Sequence, residues 1–392
     1  MIPVAVVGAG QSAYGAFPER SLKALFHEAA TDCLASVDKG IAPGDIGEAV
    51  IGTLSTGGAQ LGNVAPLMME AAGLEGVSAA HVENACASSG YAFRLAAMAV
   101  ASGQVDVAIA AGLEKMTDLP RERNRLWLGI SGDVEWERLA GTNFPGIYAM
   151  LTRRHMHEHG TPAEAIHAVA AKNRTHAVDN PKAQFRKAMT TEQAAAAPNL
   201  ADPFTLADAC GVTDGASMVV LARADIADRF TDRPVHVLGL GGASDYVAAH
   251  DRDSMSRLDA ARKAARMAYA QAGIGPEAIR AAEVHDCFAG AELLAYGDLG
   301  FCDEAGAGRL ALDGVTRRDG RLPVNNSGGL IGKGHPIGAT GTGQIYELFH
   351  QLRGSAADPA RQLDLGDGPV LAHNVGGSGG SVAVTVLGRA RP

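Results

Sequence analysis

Short apolar runs alternating with amphipathic stretches set out the plan of this chain. Val4–Val7 and Val235–Leu240 read as buried strands that end in glycines, and a pattern of helical periodicity follows each, over Ser21–Val37 and Arg257–Ala272. A proline turn comes next in both places (Pro43, Pro276), then another strand, Ala49–Gly52 or Ala282–His285. Buried strands recur at Val105–Ala111 and Val370–His373, and the two series close on Gly215–Arg223 and Gly380–Gly388. The same order of elements is thus written twice. Alternating strands and helices imply mixed or parallel sheets covered by helices. The duplication implies two similar α/β halves, residues 1–234 and 235–392, packed so that a catalytic group from each meets at a shared cleft. Between Gly112 and about Thr205 the pattern changes, with both tryptophans, prolines such as Pro120, Pro145, Pro162 and Pro181, and a helical segment at Pro162–Asn173. This stretch is expected to form a loop domain, about 113–205, inserted in the first half beside the cleft.

Composition narrows the function classes. The chain has 392 residues, ample for a stable core. Although 47% of them are hydrophobic, no run is long and uniform enough to cross a bilayer. The start runs from Met1 straight into a strand pattern, without the charged and apolar regions of a signal peptide, so a cytoplasmic enzyme is expected. The five cysteines are scattered, odd in number and without CxxC spacing, which excludes a disulfide framework and a cysteine zinc site. A net charge of −9 without a basic block argues against nucleic acid. It does not argue against a small anionic ligand, which needs only a few local cations.

Three motifs invite other assignments. Gly8-Ala9-Gly10-Gln11-Ser12-Ala13 fits a dinucleotide fingerprint, but Tyr14–Pro18 interrupts the helix it requires, and Asp32 falls inside a helical pattern instead of ending a strand. Ser327–Gly334 resembles a phosphate loop without its first glycine and final hydroxyl residue. His155-Met156-His157-Glu158-His159 would put His155 and His159 on one helix face, yet offers no third ligand at metalloprotease spacing.

The chemistry concentrates in three other segments. Cys86 lies where a short strand (His81–Asn84) runs into a long small-residue helix pattern, so free N–H groups and the helix dipole are expected to favour its thiolate. His285 and Cys287 alternate on an extended segment and point the same way, with Asp286 opposite. His335 sits in a glycine-rich turn, Gly332–Gly338, that lets backbone and imidazole approach a ligand closely. Each segment alone has a plain reading as a buried thiol, a strand end or a turn histidine. Together they read as covalent acyl transfer by cysteine.

These segments, with Asn325–Gly343 and the closing Asn374–Gly380, resemble the thiolase superfamily, and more narrowly its sterol-carrier-protein-type and archaeal branch. The resemblance implies the thiolase fold: duplicated βαβαβαββ halves in an α-β-α-β-α layering. Better-known thiolases carry Asn-Glu-Ala-Phe where this chain has His285-Asp286-Cys287-Phe288, and a second cysteine where it has Asn374. The branch makes both changes together, moving the acid/base thiol to Cys287. By resemblance the site comprises Cys86 as nucleophile, His335 as its base, His285 with His335 for the thioester oxygen, Cys287 as acid/base, and the backbone of Cys86 and Gly376 as a second oxyanion hole. Cys33, Cys210 and Cys302 are left as structural. Acyl-CoA and CoA are the expected substrates, with no cofactor or metal. The family further implies a homodimer or a dimer of dimers, and a small zinc-ribbon/OB-fold partner protein. The alternative is a thiolase-fold aldolase that cleaves a β-hydroxyacyl-CoA, for which Tyr296 and Tyr346 would be the candidate residues.

Overall fold

The computed structural model describes residues 2–390; Met1, Arg391 and Pro392, at the ends of the two expected halves, lie outside them. The first half runs β1 (Val4–Gln11), α1 (Leu22–Ala35), β2 (Glu48–Gly52), α2 (Val64–Ala71), β3 (Ala79–Val82), α3 (Ser88–Ala101) and β4 (Val107–Glu114). The insertion follows, with α4 (Arg121–Gly129), α5 (Phe144–His159), α6 (Ala163–His176), the short α7 (Thr191–Ala195) and the hairpin β5 (Asn199–Ala201) and β6 (Phe204–Thr205). β7 (Gly215–Arg223) then closes the half. The second half runs β8 (Val235–Ser244), α8 (Asp259–Ala272), β9 (Ala281–Glu283), α9 (Ala289–Asp298), α10 (Ala307–Leu312), α11 (Gly329–Gly332), α12 (Thr340–Arg353), β10 (Val370–Gly376) and β11 (Ser381–Gly388). The strand equivalent to β3 shrinks in the second half to an isolated bridge between Ala282 and Val324.

The strands form one mixed sheet in the order β3-β2-β4-β7-β1-β8-β11-β10-β9. Its two halves mirror each other and join where β1 meets β8, through Ala5 opposite His236 and Val6 opposite Val235. Side-chain alternation along β1 explains the layering. Ala5 and Val7 pack outward with Phe26 and Ala29 of α1 and with Met68 of α2. Val4 and Val6 pack inward, in a core shared by Phe93 and Ala96 of α3, Leu348 and Phe349 of α12, and Val370 of β10. On the far side α8 and α9 cover β10 and β11. Helices therefore lie outside each half-sheet and between them. No described helix is long and apolar enough to cross a membrane.

Glycines permit two of these contacts. A Cβ at Gly10 would stand 2.0 Å from Cys33 N of α1, so the Gly8/Gly10 pair serves strand–helix packing, and both residues lie inside β1 rather than at a helix start. A Cβ at Gly241 of β8 would stand 1.8 Å from Ala264 O on the alanine face of α8. Gly241→Ala should therefore destabilise the fold by about 3 kcal/mol, the upper end of ordinary overpacking costs. Gly44→Ala, with nothing within 4 Å of the new methyl, should leave the urea midpoint nearly unchanged. Equal midpoints for the two variants would contradict this packing.

Candidate active site

Cys86 follows β3 on a turn in which Ala85 takes φ +50°, a left-handed conformation costing a residue with a Cβ about 1 kcal/mol. Ser88 holds that turn: its hydroxyl accepts from Asn84 N at 2.9 Å and donates to Ala85 O at 2.6 Å. The thiol thus stands at the mouth of α3. His285 and Cys287 occupy the segment between β9 and α9. Asp286, between them, faces away and accepts from Leu330 N (2.6 Å), Ile331 N (3.2 Å) and the Asn173 amide (2.7 Å). The loop that resembled a phosphate cradle therefore receives an internal carboxylate. His335 leaves α11; its backbone N–H donates to Thr213 Oγ1 at 3.0 Å, and its Nδ1 lies 2.7 Å from Thr340 Oγ1.

The fold brings these residues from both halves to one buried point. Sγ of Cys86 and a ring nitrogen from each of His285 and His335 lie within 4.8 Å of one another. The two imidazoles meet edge to face, centroids 5.0 Å apart. Among the described residues this is also the one group of three that could hold a metal ion, and a thiol with two imidazoles is a zinc-type donor set. The His155–His159 pair lies elsewhere, its rings 4.8 Å apart and His155 Nδ1 3.1 Å from Ser256 O.

Several neighbours gave little sign of themselves in the sequence. Tyr148, from the insertion, stands close to the Cys287 thiol and donates its hydroxyl proton to Gly377 O at 2.9 Å. No motif surrounds it. Cys210 donates its N–H to Cys287 O at 3.0 Å, and its thiol is close enough to disfavour ionisation of Cys287. Glu114, at the end of β4, accepts from the N–H groups of Leu54, Thr56 and Gly338, tying the His335 loop to the first half. Gly376 ends β10 so tightly that a Cβ would lie 2.3 Å from Asn84 O, which brings this turn against the backbone beside Cys86.

Burial dominates the electrostatics. It pushes the Cys86 thiol up to about 12, outweighing the N–H groups of Gly377 and Cys86 that pull it down; Glu114 and Glu83 add to the rise. Burial likewise drives His335 down to about 3, with Lys333 contributing, and His285 well below its usual value, with His335 and His373 contributing. Cys287 is raised by burial, then by Cys210 and Cys86. The helix N-terminus was expected to favour a thiolate. Desolvation by the surrounding protein outweighs that helix end and favours a neutral thiol between neutral imidazoles.

The chain matches the family model "Thiolase, N-terminal domain" over residues 4–225 and "Thiolase C-terminal domain-like" over residues 241–389. The chain belongs to the thiolase family. It is 41% identical to an acetyl-CoA acetyltransferase of Methanothermobacter thermautotrophicus, over 99% of this chain and 100% of that protein. To the acetyl-CoA acetyltransferase of Methanocaldococcus jannaschii it is 36% identical, over 99% of both. It is also 34% identical to a benzoylsuccinyl-CoA thiolase subunit of Thauera aromatica, over 76% of each chain. Among solved structures, an Ltp2-ChsH2(DUF35) aldolase superposes with a TM-score of 0.83 at 25% identity, covering 99% of this chain and 98% of that one. An acetyl-CoA acetyltransferase from Syntrophomonas wolfei gives 0.75 at 20% identity, covering 99% of both, and shows the shared fold. With these relatives, this thiolase is an enzyme of the acyltransferase class.

The neutral resting state has a measurable consequence. Alkylation of Cys86 by iodoacetamide should keep rising from neutral pH to about pH 10, because the thiolate fraction grows throughout that range. A plateau already reached near neutral pH would reveal a preformed thiolate and contradict the burial argument.

Proposed function

We propose that this thiolase moves an acyl group between CoA and a carbon nucleophile through a Cys86 thioester. It would cleave a 3-ketoacyl-CoA with CoA, or run the reverse Claisen condensation of two acyl-CoAs. The observation that carries this reading is the meeting of Cys86, His285 and His335 within 4.8 Å, with Cys287 held beside them. In the cleavage direction His335 takes the Cys86 proton as the sulfur attacks the 3-keto carbon. The carbon–carbon bond then breaks, and its electron pair passes to the thioester as an enolate, whose oxygen accepts hydrogen bonds from His285 and His335. Cys287 gives its proton to the enolate carbon, releasing acetyl-CoA or a homologue. The acyl oxygen on Cys86 rests at the N–H groups of Cys86 and Gly376. Incoming CoA, deprotonated by Cys287 or His335, attacks the thioester and frees the enzyme.

The substrate path follows a cleft of about 580 Å³ with largely apolar walls. It is lined by Leu128, which packs against the Cys86 cluster, and by Val212, whose backbone bridges to His335. The exposed Arg121 and Arg125 on the same cleft are the cations we assign to the CoA phosphates. CoA enters as substrate and product, and we assign no separate cofactor or metal. We place the enzyme in cytoplasmic acyl-CoA and lipid metabolism, as a homodimer or a dimer of dimers. β3 supports the pairing: it bonds to β2 alone, leaving its other edge open beside the exposed Ala80 and His81. A small zinc-ribbon/OB-fold partner protein is a further component of this reading, supported by the DUF35 assembly named for the aldolase neighbour.

The aldolase alternative is weaker on this geometry. Tyr296 is committed through its hydroxyl to Glu292 and to Thr316 Oγ1 (3.1 Å), and Tyr346 lies against His350 and Lys182. The tyrosine that reaches the thiol pair is Tyr148.

Intact-protein mass spectrometry after mixing with acetyl-CoA or acetoacetyl-CoA tests the proposal. Wild type should gain one acetyl group that free CoA removes, and Cys86→Ala should gain none. Absence of any adduct on wild type across short, long and aromatic acyl-CoAs would overturn it. Cys287→Ala should still acylate but lose exchange of the acyl α-proton; exchange at the wild-type rate would remove Cys287 from its role.

A further inference from the structure

His285 and His335 are both buried and neutral, so each carries one ring proton, and its position decides whether the ring donates or accepts toward substrate. The surrounding hydrogen bonds fix both positions. Asn374 Oδ1 lies 3.2 Å from Gly90 N, which can only donate, and Asn374 Nδ2 lies 2.9 Å from Cys86 O, which can only accept. These two backbone groups settle the orientation of the amide. Its second N–H then points at His285 Nδ1, 3.3 Å away, and requires a lone pair there. The proton of His285 must sit on Nε2, which is buried and has no hydrogen-bond partner among the described residues. Thr340 acts in the opposite sense on His335. Its Oγ1 donates to Pro336 O at 3.2 Å, one helical turn back, so it receives the proton of His335 Nδ1 at 2.7 Å. That leaves a lone pair on His335 Nε2.

We infer that Asn374 and Thr340 are positioning residues that fix opposite tautomers of the two imidazoles, making His285 a permanent donor and His335 the proton acceptor. The consequence for catalysis rests on the acyl-transfer reading above. His335 Nε2 takes the Cys86 proton and becomes a donor only after doing so. His285 Nε2–H is available to the thioester oxygen at every stage. The replacement of a second cysteine by Asn374 then has a function: it orients the histidine that this chain carries at position 285. The same amide ties that histidine to the backbone of the nucleophile and to α3, so donor and nucleophile keep a fixed separation.

The test is nitrogen-15 NMR of the full-length enzyme labelled at histidine, with ring signals assigned by subtracting spectra of His285→Gln and His335→Gln. In free wild type, His285 should show a pyridine-type Nδ1 and a pyrrole-type Nε2, and His335 the reverse. The same tautomer on both rings, or the two patterns exchanged, would overturn the inference. Asn374→Asp replaces the donor with an acceptor, so His285 Nδ1 should become pyrrole-type. Exchange of the acyl α-proton should then fall about 10²–10³-fold, as for loss of one oxyanion donor, while Cys86 still acylates. Unchanged ring signals in this variant would also overturn the inference. If the variant fails to fold, the wild-type spectrum decides alone. These signals need no acyl substrate, so failure of the acyl-enzyme experiment would defeat the proposed function and leave the tautomer assignment standing.

Discussion

The close approach of α3 to α12 is the constraint on which the rest of the molecule depends. These helices form the layer between the two half-sheets, and they meet through backbone. A Cβ at Gly341 would lie 2.3 Å from Gly90 N and 2.4 Å from Asn374 Oδ1. One at Gly112 would lie 2.1 Å from Gly338 O. Thr342 N donates to Ser89 Oγ at 3.1 Å across the junction. Because no side chain separates them, the start of α3, with Cys86, and the start of α12, just after His335, are held to one geometry. Neither half contains the site, and each contributes one helix start to it.

That closeness also sets the electrostatic character. Residues packed this tightly exclude water, and desolvation then outweighs the few oriented N–H groups near the sulfur. A buried ion pair costs desolvation on both partners, which a few oriented N–H groups do not offset. In the acyl-transfer reading proposed above, charge develops only once substrate arrives, on an oxygen or carbon faced by the two histidines and Cys287. Tyr148 stands beside the Cys287 thiol while its hydroxyl holds the Gly377 carbonyl. The carboxylate of Asp286 fastens the Cys287 segment to the glycine loop that leads to His335. These supports come from four separate stretches of chain.

Much of this was legible in the sequence, for identifiable reasons. Repeated strand and helix periodicities gave the two halves, and Cys86, His285, Cys287 and His335 stood out because their local patterns have few other uses. The expected α8 begins two residues late, at Asp259, while β10 runs on from His373 to include Asn374 and Gly376. What sequence could not supply was contact across long separations. Asn374 was visible as a departure from the family pattern, but its bonds to Gly90 and Cys86 span more than 280 residues. Tyr148 and Cys210 sit in stretches without a motif, and topology alone delivers them to Cys287. The thiolate expectation failed because a helix N-terminus is readable from a pattern of residues, whereas the dryness of its surroundings is not.

A neutral Cys86 thiol at rest carries an S–H proton that infrared spectroscopy observes directly. The difference spectrum of wild type minus Cys86→Ala at neutral pH should contain an S–H stretching band, and acylation by acetyl-CoA should remove it. A difference spectrum without an S–H band would mean that Cys86 is already a thiolate in the free enzyme. The neutral, desolvated site described here would then be wrong.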